Sequence, residues 1–241
     1  MRAAVLVLLA VALAGCVTLP PPGPVRAPQP SAALVGPDGR QTPRGAALTF
    51  LQVVAAVEPV AEAVCRERSR AQSCDFRIVV DDRPGQPPNA FQTVDRAGRP
   101  IIGFTLALIA DARNADELAF VLGHEASHHI AGHIPKRREQ AQSGALVAAV
   151  LAQAQGLSPD QVRAAQSLGA EVAARSYSKE FELEADALGA EIALLAGYDP
   201  IRGTGFFDRL PDPGDKFLGT HPPNAQRKAQ VAATVRRLQA S

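Results

Sequence analysis

Aromatic residues other than phenylalanine are scarce in this 241-residue chain: tryptophan is absent, tyrosine occurs twice, and the single methionine is Met1. The chain therefore offers little aromatic surface for stacking nucleic-acid bases and no methionine-rich binding groove. It also lacks an excess of either charge, since 25 Lys and Arg residues oppose 24 Asp and Glu residues. These absences argue against a basic nucleic-acid-binding protein, and we expect no nucleic-acid partner.

Histidine is present and unevenly distributed. The hydrophobic content of 46% is that of an ordinary globular domain, in which five histidines would not attract attention by number alone. Four of them nevertheless fall within ten residues, which concentrates the candidate chemistry in one segment. The clustered histidines are His124, His128, His129 and His133, and the fifth is His221.

The N-terminus has the features of an export signal. Arg2 precedes an apolar run over residues 3–14, which is too short to span a bilayer as a permanent helix. The run ends in Leu13-Ala14-Gly15-Cys16, which resembles a bacterial lipobox and implies cleavage before Cys16 and fatty acylation, for example by palmitate. Val17 follows instead of an inner-membrane retention residue, so we expect an outer-membrane lipoprotein facing the periplasm. A plain signal peptide with a chance cysteine is the alternative.

A proline-rich stretch follows the expected acylation site. Eight of the 24 residues from Pro20 to Pro43 are proline, which favours an extended chain of about 3.1 Å per residue. We therefore expect three parts: a signal peptide at 1–15, a lipid-bearing tether at 16–43 that attaches the protein to the membrane, and a folded domain at 44–241.

The two remaining cysteines, Cys65 and Cys74, are candidates for a disulfide. They lie nine residues apart in a chain expected to reach an oxidising compartment. On the loop-entropy model such a bridge stabilises the fold by about 2.5 kcal/mol. Two unpaired thiols are the alternative, and no second Cys or His pair nearby supports a zinc role.

Periodicity along the folded part predicts helices around a small sheet. Residues 45–68 have helical spacing that Pro59 should kink, and Asn114 followed by Glu117 has the form of a helix N-cap. The helix that starts there should reach the histidines and end near Pro135. This order predicts a mostly helical α+β domain with a small mixed or antiparallel sheet. The predicted strands are 77–81, 91–94 and 100–104.

The segment 141–175 is rich in alanine and glutamine and should be helical, with a break near Pro159. Its longest apolar run, Gly144–Ala152, is too short to cross a membrane. A mobile lid and a packing hairpin both fit this pattern. A further helix is predicted over about residues 177–196, ending at Gly197.

The sequence His124-Glu125-Ala126-Ser127-His128 is an H-E-x-x-H motif within a helical segment. In a helix, His124 and His128 lie one turn apart and about 40° from each other, so both imidazoles can bind one Zn²⁺. Glu125 is offset by about 100°, where its carboxylate can take a proton from a zinc-activated water. A chance occurrence of the motif is the alternative, but the cap, the apolar helix and the export signal all favour one zinc ion per chain.

The neighbouring histidines do not fit a three-histidine zinc site. His129 and His133 lie about 140° and 180° from His124 on the wheel, which predicts surface or packing histidines. Ile134 occupies the position of the third histidine of the metzincin pattern, so that type of site is excluded.

The third zinc ligand should then be a carboxylate. In the helix near 177–196, Glu182 and Asp186 share a strip beside small residues, which lets them approach a neighbouring helix. Spacing alone favours Glu182 over the second acidic strip of Glu180, Glu184 and Glu191, although acidic strips are more often simply solvated.

Five separated segments resemble the HtpX-like family of zinc metallopeptidases, gluzincins that include the CAAX prenyl proteases. The resemblance spans about residues 45–235. Because no hydrophobic span is evident after Cys16, it is to the periplasmic lipoprotein branch. The segments are Asn89-Ala90-Phe91, Ile101–Phe104, Glu117–Glu125, Ser178–Asp186 and Thr220-His221-Pro222-Pro223.

The resemblance implies a zincin-type fold with the sheet packed on the active-site helix, and it assigns roles to individual residues. Glu182 is implied as the third ligand, and Asp186 as the residue that orients a ligand histidine. For His221 it leaves two roles open: stabilising the oxyanion, or occupying the open zinc position in a latent state. Arg227 is implied as a neighbouring oxyanion-binding or substrate-binding residue.

The function expected from these features is that of a zinc endopeptidase acting on unfolded or misassembled envelope proteins. Peptides are expected to add as a strand at the sheet edge near Ile101–Phe104. Two alternatives remain: a non-catalytic, zinc-stabilised chaperone or assembly factor for outer-membrane proteins, and an enzyme that hydrolyses cell-wall peptides. The sequence makes no prediction of oligomeric state.

Overall fold

The computed structural model describes residues 40–69, 72–176, 178–214 and 221–240. The predicted signal peptide, Cys16 and the tether up to residue 39 lie outside the described residues. The elements in chain order are α1 Pro43–Arg68, β1 Arg77–Asp81, β2 Ala90–Val94, β3 Pro100–Thr105, α2 Leu106–Asp111, α3 Ala115–Ile130, α4 His133–Ala154, α5 Pro159–Ser176, α6 Ser178–Leu195, α7 Pro200–Gly203, a 3₁₀ helix Thr204–Arg209, and α8 Asn224–Gln239.

The sheet is mixed and has the strand order β1-β3-β2. β3 runs parallel to β1 and antiparallel to β2, so both edges of β3 are already paired. A peptide therefore cannot add next to Ile101–Phe104, and that expectation is wrong. Within the part of the chain that the structure describes, β2 contacts α3 and has one edge unpaired. The predicted fold class, a mostly helical α+β domain with a small mixed sheet, is confirmed.

Helix α1 forms one wall of the core. Its inward face, which includes Phe50, Val53 and Val57, is buried against the rest of the domain. Pro59 lies inside α1, and the helix nevertheless continues to Arg68. By length and composition α1 is apolar enough to cross a membrane, with a mean hydropathy of 1.6 over 18 residues. By that measure the expectation that no such segment follows Cys16 is wrong, although this helix packs as a core helix.

The folded part begins slightly before the expected boundary at residue 44. The Gln41 side chain is buried, donates to the Ala112 carbonyl at 3.0 Å and accepts from the Thr49 hydroxyl at 2.5 Å. Thr42 then caps α1 by accepting a hydrogen bond from the Gly45 amide. The last residues of the proline-rich stretch thus belong to the domain.

Helices α3 and α6 cross in close contact because glycines meet at the crossing. A Cβ atom built on Gly189 would lie 2.7 Å from the His124 amide nitrogen, and one on Gly123 would lie 2.7 Å from the Gly189 carbonyl oxygen. Only glycine at both positions allows this backbone approach. The crossing brings the acidic start of α6 beside the histidines of α3.

Cys65 and Cys74 form a disulfide, with their Cα atoms 5.7 Å apart. Cys65 lies in the last turn of α1, and Cys74 lies just before β1. The bridge fastens the segment before the sheet onto the end of α1.

Helices α4 and α5 form a hairpin that packs mainly against itself. A Cβ atom on Gly144 would lie 2.3 Å from the Gly169 carbonyl oxygen, so the two backbones touch. The hairpin joins the rest of the domain where α4 follows α3 and where α5 precedes α6.

Candidate metal centre

Three side chains from α3 and α6 converge at the helix crossing. The Asn114 side chain caps α3 by accepting from the Glu117 amide at 3.1 Å, as the sequence predicted. The helix then presents His124 and His128 on one face, with their Nε2 atoms 3.0 Å apart. The Glu182 carboxylate lies 3.6 Å from Nε2 of His124 and 3.4 Å from Nε2 of His128.

The spacing of these donors fits a tetrahedral metal ion. A tetrahedron with metal–ligand bonds of ~2.0–2.1 Å has edges of about 3.3 Å. The Nε2 atoms of His124 and His128 are 3.0 Å apart, and the Glu182 carboxylate approaches them with different oxygens, Oε1 at 3.4 Å from His128 and Oε2 at 3.6 Å from His124. These separations scatter around that length. Two imidazoles and one carboxylate are the donor set of a catalytic zinc site with a fourth position left for water or substrate.

Asp186 and Arg227 lie directly behind His124. The Asp186 carboxylate is 3.0 Å from Nδ1 of His124, the ring nitrogen on the side away from the metal position. It also accepts hydrogen bonds from the Arg227 guanidinium at 2.6 and 2.7 Å. Because a ligand histidine is oriented by the partner of its second nitrogen, this carboxylate selects the tautomer in which Nε2 of His124 faces the metal.

His133 contacts His128, the second candidate ligand histidine. The sequence predicted a surface or packing role for His133 and did not predict this contact. Its Nδ1 lies 2.8 Å from Nδ1 of His128, and its Nε2 lies 3.1 Å from the Glu184 carboxylate. The helical wheel placed His133 on the far side because it assumed one continuous helix. The chain instead leaves α3 and turns at Gly132, whose φ of +68° is left-handed, and this turn swings His133 back.

The environment of His133 makes it an acceptor for His128. Burial lowers the pKa of His133 to about 4, so its ring is neutral at physiological pH. With Nε2 donating to Glu184, the Nδ1 atom of His133 can accept a hydrogen bond from Nδ1–H of His128. The Phe181 ring stacks on the His133 ring at 4.5 Å and fixes its plane.

His129 is buried and packs against its neighbours. Of the two roles predicted for it, surface and packing, the packing role is the one observed. Its Nε2 donates to the Ser73 carbonyl at 2.7 Å, and its ring meets the Phe76 ring edge to face. Burial lowers the pKa of His129. It holds the segment next to Cys74 against α3, remote from the metal-binding face.

Glu125 lines a cleft of about 620 Å³ together with the candidate ligands. Burial raises the pKa of its carboxyl group above the ordinary value. A raised pKa moves a carboxylate toward the range in which it both accepts and returns a proton near neutral pH. Glu125 thus lies in the cleft beside the candidate ligands and is not one of the three residues that could hold a metal ion.

The ionisation of the surrounding groups follows from their contacts. Burial alone would raise the pKa of Glu182, but hydrogen bonds with His128 and His221 hold it well below its usual value. Burial likewise opposes ionisation of Asp186, and Arg227 lowers its pKa. Burial acts to lower the pKa of His124, yet the hydrogen bond with Asp186 leaves it raised.

His221 and Arg227 reach the centre from the C-terminal part of the chain. Nδ1 of His221 lies 3.1 Å from the Glu182 carboxylate, and its side chain is 54% exposed. The buried Arg227 guanidinium lies over the Phe207 ring at 4.2 Å and 3.4 Å from the Glu182 carboxylate. Two of its nitrogens donate to Asp186, so Arg227 contacts both a candidate ligand, Glu182, and the carboxylate that lies behind His124.

This geometry can be compared with known proteins. The sequence model of peptidase family M48 matches residues 48–235, which is most of the chain. The chain belongs to peptidase family M48. The family expected from the sequence motifs is thereby confirmed, and the matched region contains every residue of the centre described above.

One relative is the mitochondrial metalloendopeptidase OMA1 of Arabidopsis thaliana, which is 30% identical over 136 residues. The match covers 55% of this chain and 27% of that protein, so the chain corresponds to about a quarter of its relative's length. Members of family M48 use a metal ion, typically zinc, and the cluster of His124, His128 and Glu182 is the candidate site for it.

Proposed function

We propose that this protein is a zinc-dependent endopeptidase. The observation that carries the proposal is the convergence of two imidazoles and one carboxylate in a single cleft, beside a further carboxylate, Glu125, whose pKa is raised. A structural zinc site needs four protein ligands and no base. A hydrolytic site needs three ligands, an open position and a base, and the residues that line the cleft support this second type of site.

The steps of peptide hydrolysis can be assigned to residues of the chain. Zinc held by His124, His128 and Glu182 would supply Lewis acidity toward a water molecule and the peptide carbonyl. Glu125 accepts a proton from the water as its oxygen attacks the carbonyl carbon, and then returns that proton to the nitrogen of the breaking C–N bond. His221 lies at the rim, where its imidazole can donate to the developing oxyanion.

The sheet offers a place for the substrate backbone. β2 is an edge strand, and Asn89, Ala90 and Gln92 of this region line the same cleft as Glu125. An extended peptide can pair with this edge through main-chain hydrogen bonds, which accept many sequences. The proposal therefore includes binding along β2, one strand away from the position expected from the sequence.

The decisive experiment compares the wild type with Glu125→Gln on an unfolded test protein. The substitution keeps the ligands and the shape of the side chain but removes the base. We expect both proteins to bind one zinc ion and cleavage to fall by roughly 10²–10⁴-fold in the variant. Full activity in Glu125→Gln, or activity unaffected by a chelator, would overturn the proposal.

The proposed location is the periplasmic face of the outer membrane, with anchoring by lipid on Cys16. The support is the lipobox-like sequence and the proline-rich stretch that follows it. Unfolded or misassembled envelope proteins are then the proposed substrates. Incorporation of labelled palmitate that is lost in Cys16→Ala, with release of the protein from the membrane fraction, is expected; equal membrane attachment of both proteins would contradict the anchor.

A zinc-stabilised assembly factor without catalysis is the second candidate. The observation that favours it is the short distance between His221 and Glu182, since it puts a third imidazole next to the ligand set. In that case zinc would have four protein ligands, and His221→Ala would weaken zinc binding strongly. An endopeptidase predicts that His221→Ala lowers kcat while zinc stays bound.

A further inference from the structure

A second concave surface lies along the α4–α5 hairpin. This hairpin groove is an open depression of about 960 Å³ on the surface that the two helices form together. Its floor consists of small residues such as Gly144 and Gly169, and larger apolar side chains form its walls. The wall side chains are Val147, Leu151, Leu157, Leu168 and Val172.

The shape of the groove follows from how the hairpin packs. Because α4 and α5 touch backbone to backbone at Gly144 and Gly169, only small side chains fit between them. The large apolar residues are consequently displaced to the outside, where Leu151 is 57% exposed and Leu168 is 63% exposed. Large apolar side chains in such a row on the surface indicate a binding surface.

The hairpin groove continues the wall of the catalytic cleft. One strip of α4 repeats at helical spacings of three and four residues, so all its members face the same side. Its first members line the cleft, and its later members line the groove. The strip consists of His133, Arg137, Gln140, Gly144, Val147 and Leu151.

The other wall shows the same continuity. Val172 and Ser176 of α5 line the groove, and Ser178 and Phe181 of α6 line the cleft. The two linings share no residue, but Gln140 and Ser176 of the groove lie only two or three positions from Arg137 and Ser178 of the cleft, so a chain lying in the groove is directed toward the cleft. From Lys136 to Leu151 the groove extends about 22 Å along α4, which is the length of roughly four helical turns.

The charge of the groove defines what it can hold. Among its described lining residues only Lys136 and Glu139 are ionisable, and both lie at the end near the cleft. The rest of the surface is uncharged and apolar, with wall side chains one turn apart, such as Leu168 and Val172. An apolar helical face with side chains at spacings of three and four residues fits such walls.

We propose that the hairpin groove is a substrate-binding exosite for an apolar, helix-forming segment of the polypeptide being cleaved. This deepens the proposed endopeptidase function and rests on it. The groove holds about four turns of the segment, and the adjoining extended part of the same chain enters the cleft. Selection of substrates by an apolar segment outside the scissile region follows, and the scissile sequence itself needs little specificity.

The experiment uses three reporter substrates and the full chain. One reporter contains only a short scissile segment, the second adds a 16-residue leucine-rich amphipathic helix through a flexible linker, and the third carries that helix with its leucines replaced by glutamine. We expect KM to be at least tenfold lower for the second reporter than for the first and the third. The value of kcat should be unchanged, because the exosite binds the ground state and the transition state alike.

Two matched variants locate the effect. Leu151→Gln with Leu168→Gln alters the groove, whereas Leu146→Gln with Val150→Gln alters residues that are similarly exposed, at 65% and 55%, but do not line it. We expect the groove variant to lose the KM advantage and the control variant to keep it. Both should cleave the short reporter as the wild type does, and a groove variant that retains the KM advantage would overturn the exosite.

The exosite proposal and the endopeptidase proposal can be tested separately. If the wild type does not cleave the short reporter, the proposed function is wrong, and the groove is then tested by the fluorescence anisotropy of the labelled helix with Glu125→Gln. Binding that is weakened tenfold or more by the groove substitutions supports the exosite, and unchanged or absent binding overturns it.

Two other occupants of the groove would also overturn the proposal. Sedimentation that shows a dimer of the wild type, dissociated only by the groove substitutions, would assign the groove to a second copy of the chain. Flotation of a Cys16→Ser protein with phosphatidylcholine vesicles, abolished only by the groove substitutions, would assign it to a lipid surface.

Discussion

Arg227 on α8 clamps Asp186 on α6 through two hydrogen bonds of 2.6 and 2.7 Å, with Asp186 completely buried. Asp186 in turn holds His124 at 3.0 Å. The C-terminal helix is thus connected to a candidate metal ligand through one ion pair. Since Asp186 is fully buried and Arg227 is only 8% exposed, each charge depends on the other to remain buried.

This pair gives a prediction about stability. Asp186→Leu leaves the Arg227 charge buried without its partner and should lower the free energy of unfolding by about 3–5 kcal/mol. The double variant Asp186→Leu with Arg227→Met removes both charges and should be clearly more stable than the single variant. Urea unfolding at saturating zinc measures the stability of both variants. A double variant less stable than Asp186→Leu would contradict the dependence of the two buried charges on each other.

The contact between His133 and His128 gives a prediction about zinc affinity. His133→Phe removes the acceptor for Nδ1 of His128, and zinc affinity should fall by ~10–100-fold, as is typical when the partner of a ligand histidine is lost. Competition with a chelating dye measures the affinity. His129→Phe is the control, because His129 is buried on the same helix but bonds to Ser73, and it should alter stability without altering zinc affinity.

The glycine crossing of α3 and α6 gives a third prediction. Gly189→Ala would place a methyl group 2.7 Å from the His124 amide and force the helices apart, moving Glu182 away from the histidines. We expect a loss of about 1–3 kcal/mol of stability together with a large loss of zinc affinity.

Gly144→Ala is the matched control for that substitution. Its methyl group would lie 2.3 Å from the Gly169 carbonyl oxygen, so the strain is at least as severe but lies in the hairpin. Stability should fall while zinc affinity stays at the wild-type value. Equal losses of zinc affinity in both variants would show that the α3–α6 crossing has no special part in forming the centre.

The disulfide gives a fourth prediction. Replacing both Cys65 and Cys74 by alanine should lower the free energy of unfolding by about 2.5 kcal/mol, because the unfolded chain regains the entropy of a small loop. Cleavage of a short peptide should persist, since the bridge lies away from the cleft. A reducing agent should destabilise the wild type and leave the stability of the double variant unchanged. Destabilisation of both proteins would show that the effect of the reducing agent does not come from the disulfide.

Local regularities explain why much of the fold could be predicted from the sequence. Asn114 and Glu117 mark the start of α3, and short runs rich in β-branched and aromatic residues mark the strands, because caps and local composition depend on neighbouring residues alone. The spacing of His124 and His128 likewise follows from the pitch of one helix. The edge of the sheet was predicted wrongly, because strand order depends on pairing between distant segments.

Long-range contacts decided the rest of the centre. Spacing only favoured Glu182 and left the position of His133 on the wrong side, since a helical wheel has no information beyond the end of its helix. The turn at Gly132 and the contact of Gly123 with Gly189 set both positions.

The sequence by itself determined the family, the helix that carries the H-E-x-x-H motif and the chemistry of its side chains, because residue type and local spacing suffice for these. Only the tertiary structure decided which carboxylate faces the two histidines, which residues contact those histidines from behind, and that one strip of α4 lines first the cleft and then the hairpin groove. These are distances between residues far apart in the chain, and packing sets them.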